Sequence, residues 1–120
     1  MAPMAPMAHF EAVLELAELP AHGMRACLLG GREIVICRTH AGIFALDNIC
    51  THAYARLSEG RLRATRLVCP LHAATFDIRN GRVLAPPAQV ALTAHTVRLA
   101  AGMIEVALGE SHVAPAQGDS

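Results

Sequence analysis

The chain has 120 residues, enough for one domain with its own hydrophobic core and too few for a second function. Its ten arginines are balanced by ten acidic residues, so the net charge gives no argument for binding nucleic acid or a membrane surface. No apolar stretch approaches the roughly 20 residues of a membrane helix. The first residues lack the basic flank and apolar segment of a secretory signal, which predicts a cytoplasmic protein.

Short strands broken by turns describe the chain better than any helical period. The expected strands are 10–16, 24–29, 33–38, 42–46, 75–78, 82–84, 96–100 and 103–108. Asn80-Gly81 predicts a type I′ hairpin between the fifth and sixth of them, and Ala101-Gly102 separates the last two. The pattern predicts an all-β domain of antiparallel sheets.

The two ends differ in composition from the middle. Residues 1–8 repeat Ala, Pro and Met, and residues 109–120 are rich in Ala, Pro, Gly and Ser with little to bury. We expect a disordered N-terminal extension at 1–8, one domain at 9–108 and a disordered tail at 109–120.

Cys27 and Cys37 flank the Gly30-Gly31 turn. If this turn is a two-residue hairpin, Cys27 faces Ile34 and Cys37 faces Met24, so the two cysteines are not cross-strand partners. We expect two small buried hydrophobic side chains in a reducing compartment rather than a disulfide bond.

Two short runs each hold one cysteine and one histidine. They are Cys50-Thr51-His52 and Cys69-Pro70-Leu71-His72. Mixed thiolate and imidazole ligation by two cysteines and two histidines is typical of a Rieske 2Fe-2S cluster, in which the thiolates hold one iron and the imidazoles the other. We predict Cys50, His52, Cys69 and His72 as the ligands of one such cluster, with the histidines facing outward.

Zinc is the alternative, because two cysteines and two histidines also form a common zinc site. Zinc fingers usually pair CxxC with HxxxH, whereas each run here is mixed. The iron-sulfur interpretation is therefore preferred. The other histidines have no ligand-like neighbours and are expected to be ordinary surface or strand residues; they are His9, His22, His40, His95 and His112.

Arginines cluster between the two runs, with Glu59 as the only acid among them. They are Arg56, Arg61, Arg63 and Arg66. The segment is interpreted as a solvated loop, or alternatively as a basic rim that orients an acidic redox partner.

The central stretch resembles a Rieske ferredoxin, and in particular the ferredoxin components of bacterial aromatic-ring dioxygenase systems. The residues that carry the resemblance are Ala45-Leu46-Asp47, Leu57-Ser58-Glu59-Gly60 and Phe76-Asp77, together with the two ligand runs. The resemblance implies stacked antiparallel sheets with a small two-loop cluster-binding subdomain. It also suggests that Pro86-Pro87 forms a proline loop covering the cluster.

The same resemblance implies a one-electron carrier without catalytic residues. Its transient partners would be a flavin-dependent ferredoxin reductase, fed by NAD(P)H, and a terminal oxygenase. Neither nucleic acid nor a membrane is expected as a partner, and the chain is expected to act as a monomer. The alternatives are a small Rieske subunit of another reductase, such as nitrite reductase, and a zinc-stabilised interaction domain.

Departures from the Rieske proteins of cytochrome bc complexes predict a low potential. Those proteins carry a disulfide where this chain has Ala55 and Leu71, and a serine and a tyrosine where it has Ala74 and Phe76. Fewer hydrogen bonds to the cluster stabilise its reduced state less, which predicts about −150 mV. Ala73 replaces the usual glycine, at a strain cost of roughly 1 kcal/mol if its φ is positive.

Overall fold

The computed structural model describes residues 9–109, and these residues form two antiparallel sheets. The strands are β1 (Glu11–Glu15), β2 (Gly23–Leu29), β3 (Arg32–Thr39), β4 (Gly42–Asp47), β5 (Arg61–Arg63), β6 (Arg66–Val68), β7 (Thr75–Asp77), β8 (Val83–Ala85), β9 (Ala94–Ala100) and β10 (Met103–Ala107). Two single turns of 3₁₀-helix, Leu16–Glu18 and Leu57–Glu59, complete the elements. The predicted all-β class is confirmed.

The larger sheet has six strands in the order β1-β10-β9-β4-β3-β2, and the smaller has four in the order β5-β6-β7-β8. The smaller sheet is inserted between β4 and β9 and carries the second cysteine–histidine run between β6 and β7. The first run follows β4 directly. Each sheet therefore supplies one of the two loops.

Strand β3 is buried on both faces because apolar side chains occupy every position from 34 to 37. Ile34 and Ile36 lie in one core with Leu14, Ile104 and others. Val35 and Cys37 point to the opposite face, as the two-residue period of a strand requires. There they join a second core that includes Cys50 and Cys69. The ligand cysteines are thus part of a hydrophobic core.

The hairpin of β2 and β3 has the predicted register. Gly30 and Gly31 have φ values of 58° and 79°, as a type I′ turn requires. Cys27 pairs with Ile34 and Cys37 with Met24. Neither cysteine forms a disulfide bond. Burial raises the pKa of Cys27, and raises that of the fully buried Cys37 to about 12.

Two local predictions were wrong. The arginine-rich segment is not a solvated loop, since Arg61–Arg63 and Arg66–Val68 pair as a hairpin. The Asn80-Gly81 dipeptide does not form a type I′ turn, because of its two residues only Gly81 has a positive φ. Instead the N–H of Gly81 donates to the carbonyl of Asp77, and the connection between β7 and β8 is five residues long.

The expected disorder at 1–8 and 110–120 lies outside the described residues. Gly109, which was predicted to begin the tail, is held in place because its N–H donates to His95 Nδ1 at 2.8 Å. No helix within residues 9–109 has the length and apolar character needed to span a bilayer.

Candidate metal centre

The first ligand loop leaves β4 and closes on itself. The N–H of Cys50 donates to the carbonyl of Ala55 at 2.9 Å, and Ile49 forms an isolated bridge with Arg56. This closure places the cysteine at the base of the loop and His52 near its tip. Cys50 is buried, whereas His52 is half-buried.

The second ligand loop repeats this construction between β6 and β7. The N–H of Cys69 donates to the carbonyl of Ala74 at 2.7 Å, again five residues further along. The chain reverses through two consecutive left-handed residues, His72 at φ 63° and Ala73 at φ 61°. Cys69 is buried and His72 is exposed. Because the φ of Ala73 is positive, the backbone strain expected for an alanine at this position applies.

The two loops bring all four predicted ligands together. The donor atoms of Cys50, His52 and Cys69 all lie within 4.8 Å of one another. Cys50 Sγ is 3.1 Å from His52 Nδ1, and His52 Nε2 is 3.1 Å from His72 Nδ1. The two imidazole rings meet edge to face, with centroids 5.4 Å apart. This places sulfur donors on the inside and nitrogen donors on the outside.

This donor set fits a mixed cysteine–histidine iron-sulfur cluster. In such a cluster two thiolates would hold one iron and two imidazoles the other. The cysteines must therefore lie together on one side of the site and the histidines together on the other. Burial raises the pKa of Cys69, as does the nearby Cys50, whereas the N–H of Leu71, 3.4 Å from the sulfur, lowers it. Such an N–H is suited to stabilise a thiolate ligand.

A third segment packs against the first ligand loop. The peptide bond between Pro86 and Pro87 is cis, and Ala88 is buried in the same core as both ligand cysteines. Thr51 Oγ1 donates a 2.6 Å hydrogen bond to the carbonyl of Val90. These contacts hold the segment after Pro87 against the first ligand loop; that the prolines cover a cluster stays a prediction.

The two positions that lack a hydroxyl group lie inside the core that surrounds the ligand cysteines. Ala74 and Phe76 are fully buried and belong to the core that contains Cys50 and Cys69. The neighbouring hydroxyl of Thr75 donates to the carbonyl of Ala73 at 3.0 Å rather than toward a ligand. The surroundings of the second loop are therefore apolar.

Asn48 supports the first loop, a role that sequence reasoning missed. It is completely buried, and its Oδ1 accepts a 2.8 Å hydrogen bond from the N–H of Ser58. The main-chain carbonyl of Asn48 also accepts a 2.7 Å hydrogen bond from the N–H of Leu57. Both bonds join the residues before Cys50 to the 3₁₀ turn that follows the loop. An asparagine just after an apolar strand was the only signal available.

His95 is a strand residue, as expected, and has a defined structural role away from the ligands. Because the N–H of Gly109 donates to its Nδ1, its Nε2 carries the proton and donates to Asp47 Oδ1 at 2.9 Å. Arg32 binds both oxygens of Asp47 at 2.9 and 2.8 Å. Burial alone would raise the pKa of Asp47, but the hydrogen bonds from His95 and Arg32 outweigh burial and lower it. The network anchors the end of β4, three residues before Cys50.

Comparison with known proteins agrees with this geometry. A family model described as the Rieske [2Fe-2S] domain matches residues 9–98. The ferredoxin component of a naphthalene 1,2-dioxygenase system from Pseudomonas aeruginosa is 33% identical over 84 residues, which cover 70% of this chain and 81% of that protein.

Solved structures give the same result. The ferredoxin of carbazole 1,9a-dioxygenase from Nocardioides aromaticivorans IC177 has a TM-score of 0.80 and 30% identity, covering 83% of this chain and 98% of that one. A ferredoxin in complex with the oxygenase of carbazole 1,9a-dioxygenase has a TM-score of 0.77 and 27% identity, covering 85% of this chain and 94% of the matched chain. The zinc interpretation is not favoured by these matches.

Proposed function

Because the chain belongs to the Rieske [2Fe-2S] domain family, we propose that it carries single electrons from a flavin-dependent ferredoxin reductase to a terminal oxygenase. Its cofactor is one Rieske 2Fe-2S cluster, which supplies a reversible one-electron couple when bound. We assign its ligands as Cys50 and Cys69 on the inner iron and His52 and His72 on the outer iron. The proposed partners are those of the ferredoxin relatives.

One observation carries this proposal: the ligand histidines lie at the surface while the ligand cysteines are buried. His72 is exposed and His52 half-buried, whereas Cys50 and Cys69 are only 4% and 2% exposed. The buried cysteines and the core around them exclude water from one side of the site. The imidazole side is left open to a partner, so electrons can enter and leave there.

Apolar side chains beside the histidines support docking at this end of the molecule. Tyr54, on the first ligand loop, is 95% exposed, and Leu71, on the second, is 45% exposed. Exposed aromatic and aliphatic groups at the tip of a domain suit a contact that forms and dissociates with each electron. A small contact of this kind fits a transient carrier better than a permanent subunit.

The relatives of the chain favour a carrier over a complete oxygenase. Activation of dioxygen requires a mononuclear iron held by two histidines and a carboxylate, in addition to the Rieske centre. The matched relatives are named ferredoxin components of dioxygenase systems. We propose that the protein works as a monomer in the cytoplasm, where its unpaired Cys27 and Cys37 stay reduced.

Reconstitution tests the proposal. The cluster-loaded protein replaces the native ferredoxin in naphthalene, anthranilate and 3-phenylpropionate dioxygenase systems, each with its own reductase and oxygenase. We expect NADH-dependent reduction of the protein and product formation in at least one system, and no product without an oxygenase. Product formation by the protein alone, or reduction by the reductases with no transfer to any oxygenase, would contradict the proposal.

A further inference from the structure

Three arginines on the β5–β6 hairpin form an unpaired basic surface, here called the arginine face: Arg61, Arg63 and Arg66. All three are exposed. Within residues 9–109 none of their guanidinium groups has an ion pair or a hydrogen bond. By contrast, Arg56 and Arg79 are paired with Glu33 and Asp77.

The hairpin register holds these charges together against their mutual repulsion. Arg63 lies directly opposite Arg66, and Arg61 is two residues from Arg63 on the same face of the strand. Like charges directly opposite each other in an antiparallel pair are destabilising. The other face of the hairpin cannot take them, because Leu62 and Leu67 pack there into the core.

Nearby carboxylates do not neutralise the arginine face. Asp77 lies opposite Arg66, but both of its oxygens are bound by Arg79, at 3.0 Å from Nε and 2.9 Å from a terminal nitrogen. This interaction lowers the pKa of Asp77. Glu59 is the remaining acid at this edge and makes no ion pair within the described part of the chain. The arginine face therefore keeps an excess of positive charge.

One member of the arginine face, Arg61, lines a surface groove beside the metal centre. The lining of this groove consists of Glu59, Gly60, Arg61 and Val68 together with Cys69, Pro70 and Ala73 of the second ligand loop. The hairpin is also fixed in position, since His22 Nε2 lies 3.0 Å from the carbonyl of Leu62 and donates to it. A partner that covers the arginine face therefore also lies beside the second ligand loop.

We propose that the arginine face docks an acidic surface of an electron-transfer partner protein and thereby orients it toward the exposed histidines. This inference rests on the proposed carrier function and adds the charge of the partner. Exposed charges of one sign steer a partner of opposite charge and raise its association rate, and salt screens the effect. Because the whole chain has zero net charge, the steering is local rather than global.

Cytochrome c in two charge forms provides a matched probe. Its native form is basic, and full succinylation makes it acidic while leaving the haem in place. Stopped-flow measurements follow electron transfer from the reduced, cluster-loaded protein to each form at increasing ionic strength. We expect the succinylated form to react faster at low salt, and this advantage to disappear at high salt.

A triple variant locates the effect on the hairpin. Arg61→Gln, Arg63→Gln and Arg66→Gln together should lower the low-salt rate with succinylated cytochrome c about tenfold and remove most of its salt dependence. Arg25→Gln is the control, because Arg25 is exposed on β2, outside the arginine face, and donates a hydrogen bond to the carbonyl of Glu18 at 3.4 Å. It should leave the rate unchanged.

The outcomes separate this inference from the carrier function. Equal rates for the two cytochromes with the unmodified protein overturn the inference without needing any variant to fold. A triple variant that keeps its cluster and its full rate also overturns it, as does binding of the face to phosphatidylglycerol vesicles at 100 mM salt. If neither cytochrome accepts an electron, the carrier function itself fails.

Discussion

The hydroxyl of Thr51 donates a 2.6 Å hydrogen bond to the carbonyl of Val90, 39 residues away. It joins the first ligand loop to the segment that follows Pro86 and Pro87. Thr51 lies between Cys50 and His52, so the bond fixes the peptide that carries both ligands. The loop is held at its tip by this bond and at its base by Asn48.

Thr51→Val tests the contribution of this contact. The substitution keeps the shape of the side chain but removes the donor, so we expect a loss of about 1 kcal/mol in the stability of the loop. Cluster release at a fixed urea concentration, followed by visible absorbance, should become several-fold faster. Thr96→Val, at an exposed site on β9, is the control. Equal release rates for the two variants would show that the bond is dispensable.

Gly60 is required by a close approach of the chain rather than by a turn. Its φ is −90°, but a Cβ there would lie 1.9 Å from the carbonyl oxygen of Val68 and 3.1 Å from Pro70. Gly60→Ala therefore forces the 3₁₀ turn away from the second ligand loop. We expect a loss of about 3 kcal/mol in unfolding free energy, measured by urea denaturation of the cluster-loaded protein.

Gly31→Ala is the comparison for Gly60→Ala. Gly31 has a φ of 79° but nothing within 4 Å of its added Cβ, so only backbone strain of about 1 kcal/mol is expected. A smaller loss for Gly60→Ala than for Gly31→Ala would contradict the steric argument.

Ala73→Gly should stabilise the protein. Ala73 has a φ of 61°, a left-handed conformation that glycine adopts without cost, so the gain is about 1 kcal/mol. Ala41→Gly is the matched control, because Ala41 is an exposed turn residue without a positive φ and should lose stability. The urea midpoints of both variants check this, and a lower midpoint for Ala73→Gly would show that the loop tolerates alanine without strain.

The apolar surroundings of the second ligand loop predict a potential near −150 mV, the low end of the Rieske range. Phe76→Tyr and Ala74→Ser each add a hydroxyl next to the ligand cysteines, and we expect each to raise the potential by tens of millivolts. Redox titration of the cluster-loaded proteins measures this. Phe10→Tyr, whose ring packs against the guanidinium group of Arg98 on β9, is the control. A potential above +100 mV in the unmodified protein would contradict the prediction.

Local rules predicted part of the fold well. The register of β2 with β3 followed from two adjacent glycines, because Gly-Gly favours a two-residue turn with two positive φ values. The β5–β6 hairpin was missed because its strands are three residues long, and Leu62 and Leu67 give too short an alternation to distinguish from a loop.

The four proposed ligands were predicted from their spacing, and the structure places them close together, but the residues that support them could not be predicted. Both hydrogen-bond partners of His95 are distant in sequence, since Asp47 is 48 residues away and Gly109 is 14 residues away. No local pattern marks such a network. The supporting role of Asn48 could not be predicted for the same reason, because its Oδ1 accepts a hydrogen bond from the backbone N–H of Ser58, ten residues away.

We propose that His52, His72, Cys50 and Cys69 together hold one iron-sulfur cluster. Pulsed electron paramagnetic resonance of the reduced protein, labelled with ¹⁵N-histidine, tests it most directly. We expect a rhombic signal with two histidine nitrogen couplings, which is lost in His52→Ala and His72→Ala and kept in His40→Ala, a change at an exposed turn residue. A reduced cluster without histidine couplings, or a colourless protein containing zinc, would contradict it.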